Sequence, residues 1–238
     1  MVKKMIKKNP AIANQEPYKA VLENEKAYFE KGGTDASLKL MAAAYNNVTE
    51  DEFEASVKNF FATTTYPKYN VPCRQITYQP QIEVMNFLRA NGFKIFICTE
   101  GTIEFIRSIS ESFYGIPKDQ VIGTSFEYEF IDSSNVVFRK PVVRSFNDKL
   151  SKPANIQLHI GTRPVFTCGN AGDGGDIAML KYSQSDSYPN FQMIINHDDS
   201  LREFYYQEKD NATLNEALKN NWHIASMKND WKTVFVKQ

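Results

Sequence analysis

The sequence lacks most of what would set it apart from an ordinary globular chain. Among its 238 residues are three cysteines, Cys73, Cys98 and Cys168, too few for a disulfide framework. None stands in a CxxC pair of the kind that holds zinc, so reduced and mostly buried thiols are expected. An excess of either charge is also absent. Lys and Arg number 28 and Asp and Glu 28, a formal net charge of zero. No overall field therefore draws the protein to polyanions, and nucleic acid is not an expected partner. No apolar run approaches the roughly 18 residues of a membrane span. The basic start MVKKMIKKNP leads into polar NQEPYK and not into a hydrophobic secretory segment, so the chain as written reads as cytoplasmic. Internal repeats and low-complexity tracts are missing too, and the lysines of VKKMIKK read as a solvated helix face.

What is present suits a folded α/β protein. Hydrophobic residues make up 42% and charged residues 24%, which excludes a disordered chain, and 17 Phe and 12 Tyr can fill a core. The length allows one large domain or a core with a smaller companion. The first 75 or so residues read as helices: IANQEPYKAVLENEKAYFEK has apolar residues at helical spacing, and Gly32-Gly33 stops it. Thr49 to Glu52 forms a capping box, after which Phe53, Val57, Phe60 and Phe61 share one helix face. Pro67, Pro72 and Pro80 break this pattern. From Gln81 onward, units alternate: helix IEVMNFLRANG, apolar run KIFIC and helix TIEFIRSISESFYG, then PVFTCGN with helix DIAMLKYSQ, then FQMIIN with helix SLREFYYQ. That alternation predicts parallel strands with helical crossovers, interrupted by a hairpin in SFEYEFIDSSNVVFRK. The expected domains are 1–75 and 76–238.

In open α/β sheets, ligands gather beyond the carboxyl ends of the strands, so the residues after each apolar run hold the candidate chemistry. After KIFIC come Thr99, Glu100, Gly101 and Thr102. A hydroxyl with backbone N–H groups there suits an anion such as phosphate, and equally a plain N-cap by Thr99. After VFTC comes a Gly-rich turn, 169–176, carrying Asn170, Asp173 and Asp176. Two acids and an amide exceed what a turn needs and suit a hard divalent cation. The turn is neither GxGxxG nor GxxxxGK[ST]. Lys152, in NDKLSKPANI, is an ordinary surface lysine on sequence alone; beside a phosphate it would neutralise charge developing in phosphoryl transfer. Asn196-His197-Asp198-Asp199 follows FQMII and could form a metal or substrate site, but reads better as the N-cap of the next helix, with Asp198 or Asp199 at its start. His159, His197 and His223 are scattered without a metal-site spacing, while Cys98 and Cys168 fall inside apolar strands as core.

The ordered set FICTEG, LSKP and GNAGDGGDIAML resembles motifs two, three and four of the haloacid dehalogenase (HAD) superfamily, specifically its phosphoserine-phosphatase-like hydrolases. Stretches such as YQPQIEVMNFLRANGFKIFICTEGTIEFI and WHIASMKNDWKTVF extend the resemblance over almost the whole chain. It implies an α/β fold, a Rossmann-like HAD core with a parallel sheet plus an N-terminal helical cap region. It also implies Mg²⁺ as cofactor and hydrolysis of a small phosphorylated substrate through an aspartyl-phosphate intermediate. Carried over residue by residue, Thr99 would hydrogen-bond the phosphoryl group, aided by the backbone of Glu100 and Gly101. Lys152 would steady the nucleophile and phosphate. Asp176 would hold Mg²⁺, supported by Asp173 or Asn170.

The family's first motif, a strand ending in Asp-x-Asp-x-Thr that carries the nucleophile and the general acid, has no counterpart. No two of the Asp residues are separated by a single residue. The central nucleophile strand is therefore expected to be missing, which would leave strand edges open. The resemblance thus implies a HAD-type phosphomonoester hydrolase in an N-terminally truncated form, completed by the missing segment or by a partner chain. A signal segment lost with that piece would make the location periplasmic or secreted. The alternative is a non-catalytic protein that holds phosphate and a metal ion without turnover.

Overall fold

A computed structural model describes residues 6–7, 9–44, 48–172 and 174–236. Most of the VKKMIKK lysines and the whole of Asp173 lie outside them. In chain order the first elements are α1 (Tyr18–Ala44), β1 (Val48–Thr49), α2 (Glu50–Thr63), β2 (Thr65–Tyr66), β3 (Val71–Pro72) and α3 (Gln79–Ala90). There follow β4 (Ile97–Thr102), α4 (Ile103–Tyr114), β5 (Val121–Ile131), β6 (Val136–Ser145), α5 (Ser151–Ile160) and β7 (Phe166–Asn170). The chain closes with α6 (Ile177–Ser183), β8 (Phe191–Asn196), α7 (Ala212–Lys219), β9 (His223–Ser226) and α8 (Met227–Asp230). This is the expected α/β alternation, with parallel strands in its C-terminal half. Among the described residues no helix is long and apolar enough to cross a membrane.

The chain divides into two compact units, 1–56 with 124–145 and 57–123 with 146–238. Residues 57–75 thus go with the second unit, and the hairpin goes with the N-terminal helices. In the first unit α1 breaks where the glycine pair stood out: Gly33 adopts φ +50°, a left-handed conformation that glycine takes at little cost. The expected capping box forms, with the Thr49 N–H donating to the Glu52 carboxylate (3.0 Å) and the Glu52 N–H to the Thr49 hydroxyl (3.1 Å). β5 and β6 form an antiparallel hairpin, Phe130 opposite Val137, and β1 extends it beside β6. Arg139 is buried there, because its guanidinium lies 3.6 Å from the Phe126 ring centroid and donates to the Met41 carbonyl at 3.1 Å.

The second unit is built on the parallel ladder β7-β8-β9, in which Gly169 pairs with Ile194 and Ile194 with Ile224. One apolar cluster packs Ile156, Leu180, Ile194 and Trp222 with Phe96 and Cys98, and another packs Ile195, Met227 and Trp231 with Tyr78 and Cys168. β4 lies beside the start of β5, so closely that a Cβ on Gly123 would fall 2.8 Å from the Gly101 carbonyl. β4 and β7 belong to different hydrogen-bonded sheets. Among the described residues no strand is hydrogen-bonded along the second edge of either.

Two elements depart from the sequence expectation. The strand expected over KIFIC begins only at Ile97 and runs on through Thr102, so the helix starts at Ile103 and Thr99 is not its cap. The helix expected over SLREFYYQ is a loop. Asp199 starts a turn by accepting the N–H groups of Leu201 (3.1 Å) and Arg202 (2.9 Å). The turn goes no further, because Lys68 takes the Glu203 carbonyl (2.8 Å) and the Arg202 guanidinium donates to the carbonyls of Met227 and Trp231, both at 2.7 Å. Asp198 caps elsewhere: its carboxylate accepts the Lys228 N–H (3.0 Å) and the Ser226 hydroxyl (2.6 Å).

Candidate functional site

The carboxyl ends of β4 and β7 and the first turn of α5 meet at one cavity of about 490 Å³, wholly within the second unit. From β4 come Thr99 and Glu100. The Thr99 hydroxyl accepts the Gly101 N–H at 3.1 Å, within β4 and ahead of the helix. Behind it, Asn147 is completely buried and donates to the Thr99 carbonyl at 2.7 Å, while Asn155 donates to the Asn147 side-chain oxygen at 3.0 Å. These amides fix Thr99 relative to α5.

Lys152 enters from α5. It is no surface lysine: its side chain is 7% exposed, and Nζ lies 2.5 Å from Asp176 Oδ1. Burial pulls its pKa down, but the adjacent Asp176 charge and hydrogen bond outweigh that and raise it, so the ammonium persists. The turn before α5 presents Asp148 to the cavity and holds Lys149 at φ +46°, while Asp148 Oδ1 accepts the Lys149 N–H at 2.8 Å.

The β7 end supplies Asn170 and, after the Gly-rich turn, Asp176. Asp176 Oδ2 accepts the Asn170 N–H at 3.0 Å. Gly169 makes this approach possible, since a Cβ there would fall 2.5 Å from the Asp176 Cβ. The Asn170 amide donates to the Tyr206 hydroxyl at 2.7 Å, and Tyr206 also lines the cavity. Glu100, Asp148 and Asp176 face one lysine, a net negative lining that favours a cation. Mg²⁺ binds one or two carboxylates and completes its shell with waters and phosphate oxygens, so Asp176 and the Asn170 side-chain oxygen are a fitting donor pair. Among the described residues no three His, Cys, Asp or Glu side chains form a metal cluster.

The structure therefore brings together Thr99, Glu100, Lys152, Asn170 and Asp176, with Gly101 alongside through its contact to Thr99. Cys98 and Cys168 are poor nucleophiles there. Burial raises the Cys98 thiol and pushes Cys168 up to about 12, leaving both protonated. Sequence reasoning missed Asn147, Asp148 and Tyr206. An NDK turn before LSKP was the only available signal for the first two, and Tyr206 sits in the segment expected to be helical.

Comparison with known proteins adds little. No family profile matches the chain, and no curated protein matches it in sequence. One solved structure with which it aligns is a phosphoserine phosphohydrolase-like protein from Francisella tularensis, at 14% identity over 94% of this chain and 85% of that one, with a TM-score of 0.45. So distant a likeness transfers no residue roles.

Proposed function

We propose that the second unit is the phosphate-binding core of a HAD-type phosphomonoester hydrolase, with the N-terminal helices of the first unit contributing to its cap. The observation that carries this reading is the buried Lys152–Asp176 pair beside Thr99, at the ends of β4 and β7 in one polar cavity. The Thr99 hydroxyl, which accepts from Gly101, keeps its own proton to donate to a phosphoryl oxygen. Lys152 neutralises the phosphate's charge from a site that water hardly reaches. Asp176 and Asn170 would hold Mg²⁺, which when bound supplies further charge neutralisation at the phosphate. A cavity of about 490 Å³ suits a small phosphomonoester.

The nucleophile is the missing part. The open edges of β4 and β7, both leading to the cavity, support a strand supplied from outside the described residues, on an upstream segment or a partner chain. The chain alone is then expected to bind inorganic phosphate but not to hydrolyse p-nitrophenyl phosphate. Hydrolysis by this chain that Asp176→Ala abolishes would contradict its incompleteness. The second reading, a protein that holds phosphate without turnover, is favoured by the satisfied Lys152–Asp176 pair. It prevails if the form extended upstream also binds without hydrolysing.

A further inference from the structure

We infer that Asp148 sets the substrate class of this cavity by receiving a cationic group on the alcohol part of the phosphomonoester, so that short aminoalkyl phosphates bind in preference to uncharged or carboxylated ones. This rests on the phosphate reading above. Among the described residues that line the cavity, Lys152 is the sole cation, and it is already paired with Asp176. A phosphate set against Lys152 brings further negative charge into a lining that also holds Glu100 and Asp148. An uncharged alcohol part leaves that repulsion in place, whereas an ammonium a few bonds from the phosphorus turns it into attraction at one end of the ligand. A carboxylate on the ligand would add to the repulsion and find no second cation in this lining.

Asp148 is the acid placed to receive the ammonium. It is 8% exposed, and its exact position is fixed from three sides. Its Oδ1 accepts the Lys149 N–H at 2.8 Å, its backbone carbonyl accepts the Ser151 N–H at 2.9 Å, and the preceding Asn147 is completely buried and tied to the Thr99 carbonyl. Among the described residues no donor reaches Oδ2, and this oxygen is not sealed from solvent, so in a residue so buried it opens on the cavity it lines. A carboxylate oxygen held there can accept from a charged donor at little ordering cost. Asp148 does not join Asp176 and Glu100 in one metal-binding cluster, since the described residues contain none. Its charge still reaches Lys152 and helps to hold that ammonium protonated, which puts Asp148 within a short linker of a phosphate bound by Lys152.

The test is calorimetric binding by the full chain, without metal, at about pH 8, where a primary amine remains charged. The probes are inorganic phosphate, ethyl phosphate, 2-aminoethyl phosphate and O-phosphoserine, which adds a carboxylate to the aminoethyl group. The wild type should bind 2-aminoethyl phosphate at least about 10-fold more tightly than ethyl phosphate or O-phosphoserine, the scale of one charge-assisted hydrogen bond. Asp148→Asn keeps an acceptor for the Lys149 N–H and removes only the charge. It should reduce the preference to less than about 2-fold while binding inorganic phosphate no more weakly than the wild type, a result that loss of the fold would not give. Equal binding of the aminoethyl and ethyl esters by the wild type, or a preference that survives Asp148→Asn, would overturn the inference and leave the phosphate reading intact. A wild type that binds none of the four probes at millimolar concentration would remove both.

Discussion

Lys152 and Asp176 are each costly to bury and acceptable only together. Lys152→Met leaves the Asp176 carboxylate without its counter-ion, and the expected loss is about 3 kcal/mol or more in chemical denaturation. Adding Asp176→Asn removes the orphaned charge and should recover most of that loss. The pH dependence follows from the direction of the shift. The Lys152 pKa is raised above its unfolded value of about 10.4, so its contribution is fully present below that pH and is lost as pH rises through the folded value. The stability gap between wild type and the double variant should therefore be constant from pH 7 to 9 and narrow only as pH rises above the unfolded value of about 10.4. Gly169→Ala is the sharper steric probe. Its Cβ needs the space that Asp176 fills, and a loss of about 1 to 3 kcal/mol with weakened phosphate binding is expected. At this scale the sequence was informative wherever chemistry is tied to a short motif: Thr99, Lys152, Asn170 and Asp176 all reach one cavity. It did not reveal the contacts of Asn147 and Tyr206, because these span 48 and 36 residues of chain, and the NDK turn before LSKP marks a turn without showing what Asn147 touches.

The helices and strands that bury an amphipathic face were legible, since apolar spacing reports burial directly. The hairpin, the capping box and the β7 and β8 strands all form where the pattern put them. SLREFYYQ misled because its helical spacing competes with Arg202, whose guanidinium finds better acceptors in the carbonyls around α8. The β4 boundary shifted for a different reason: TEGT looks like a helix start, yet Gly101 and Gly123 allow the backbones of β4 and β5 to approach, so the strand persists to Thr102. The open edges make a prediction in hydrogen exchange. β8 is paired on both sides, so its amides should exchange slowest, while the amides of β4 and β7 that face no strand should exchange markedly faster. Equal protection of all three strands would mean that the sheet is closed.

For the molecule as a whole, composition excluded whole classes without naming a function. Zero net charge gives no overall electrostatic bias, and the candidate polar groups gather in one cavity of the second unit. That cavity gathers the buried Lys152 ammonium, the Thr99 hydroxyl and the side chains of Asn170 and Asp176, the groups on which the proposed phosphate-and-cation reading rests. Phosphate bound against Thr99 and Lys152 should be visible in a calorimetric titration of the full chain with inorganic phosphate, run in parallel with Thr99→Val and Lys152→Met. Saturable binding by the wild type, weakened at least about 10-fold by either substitution as expected for loss of a charge-assisted contact, is the predicted result. Absence of saturable binding, or binding that both substitutions leave unchanged, would contradict it.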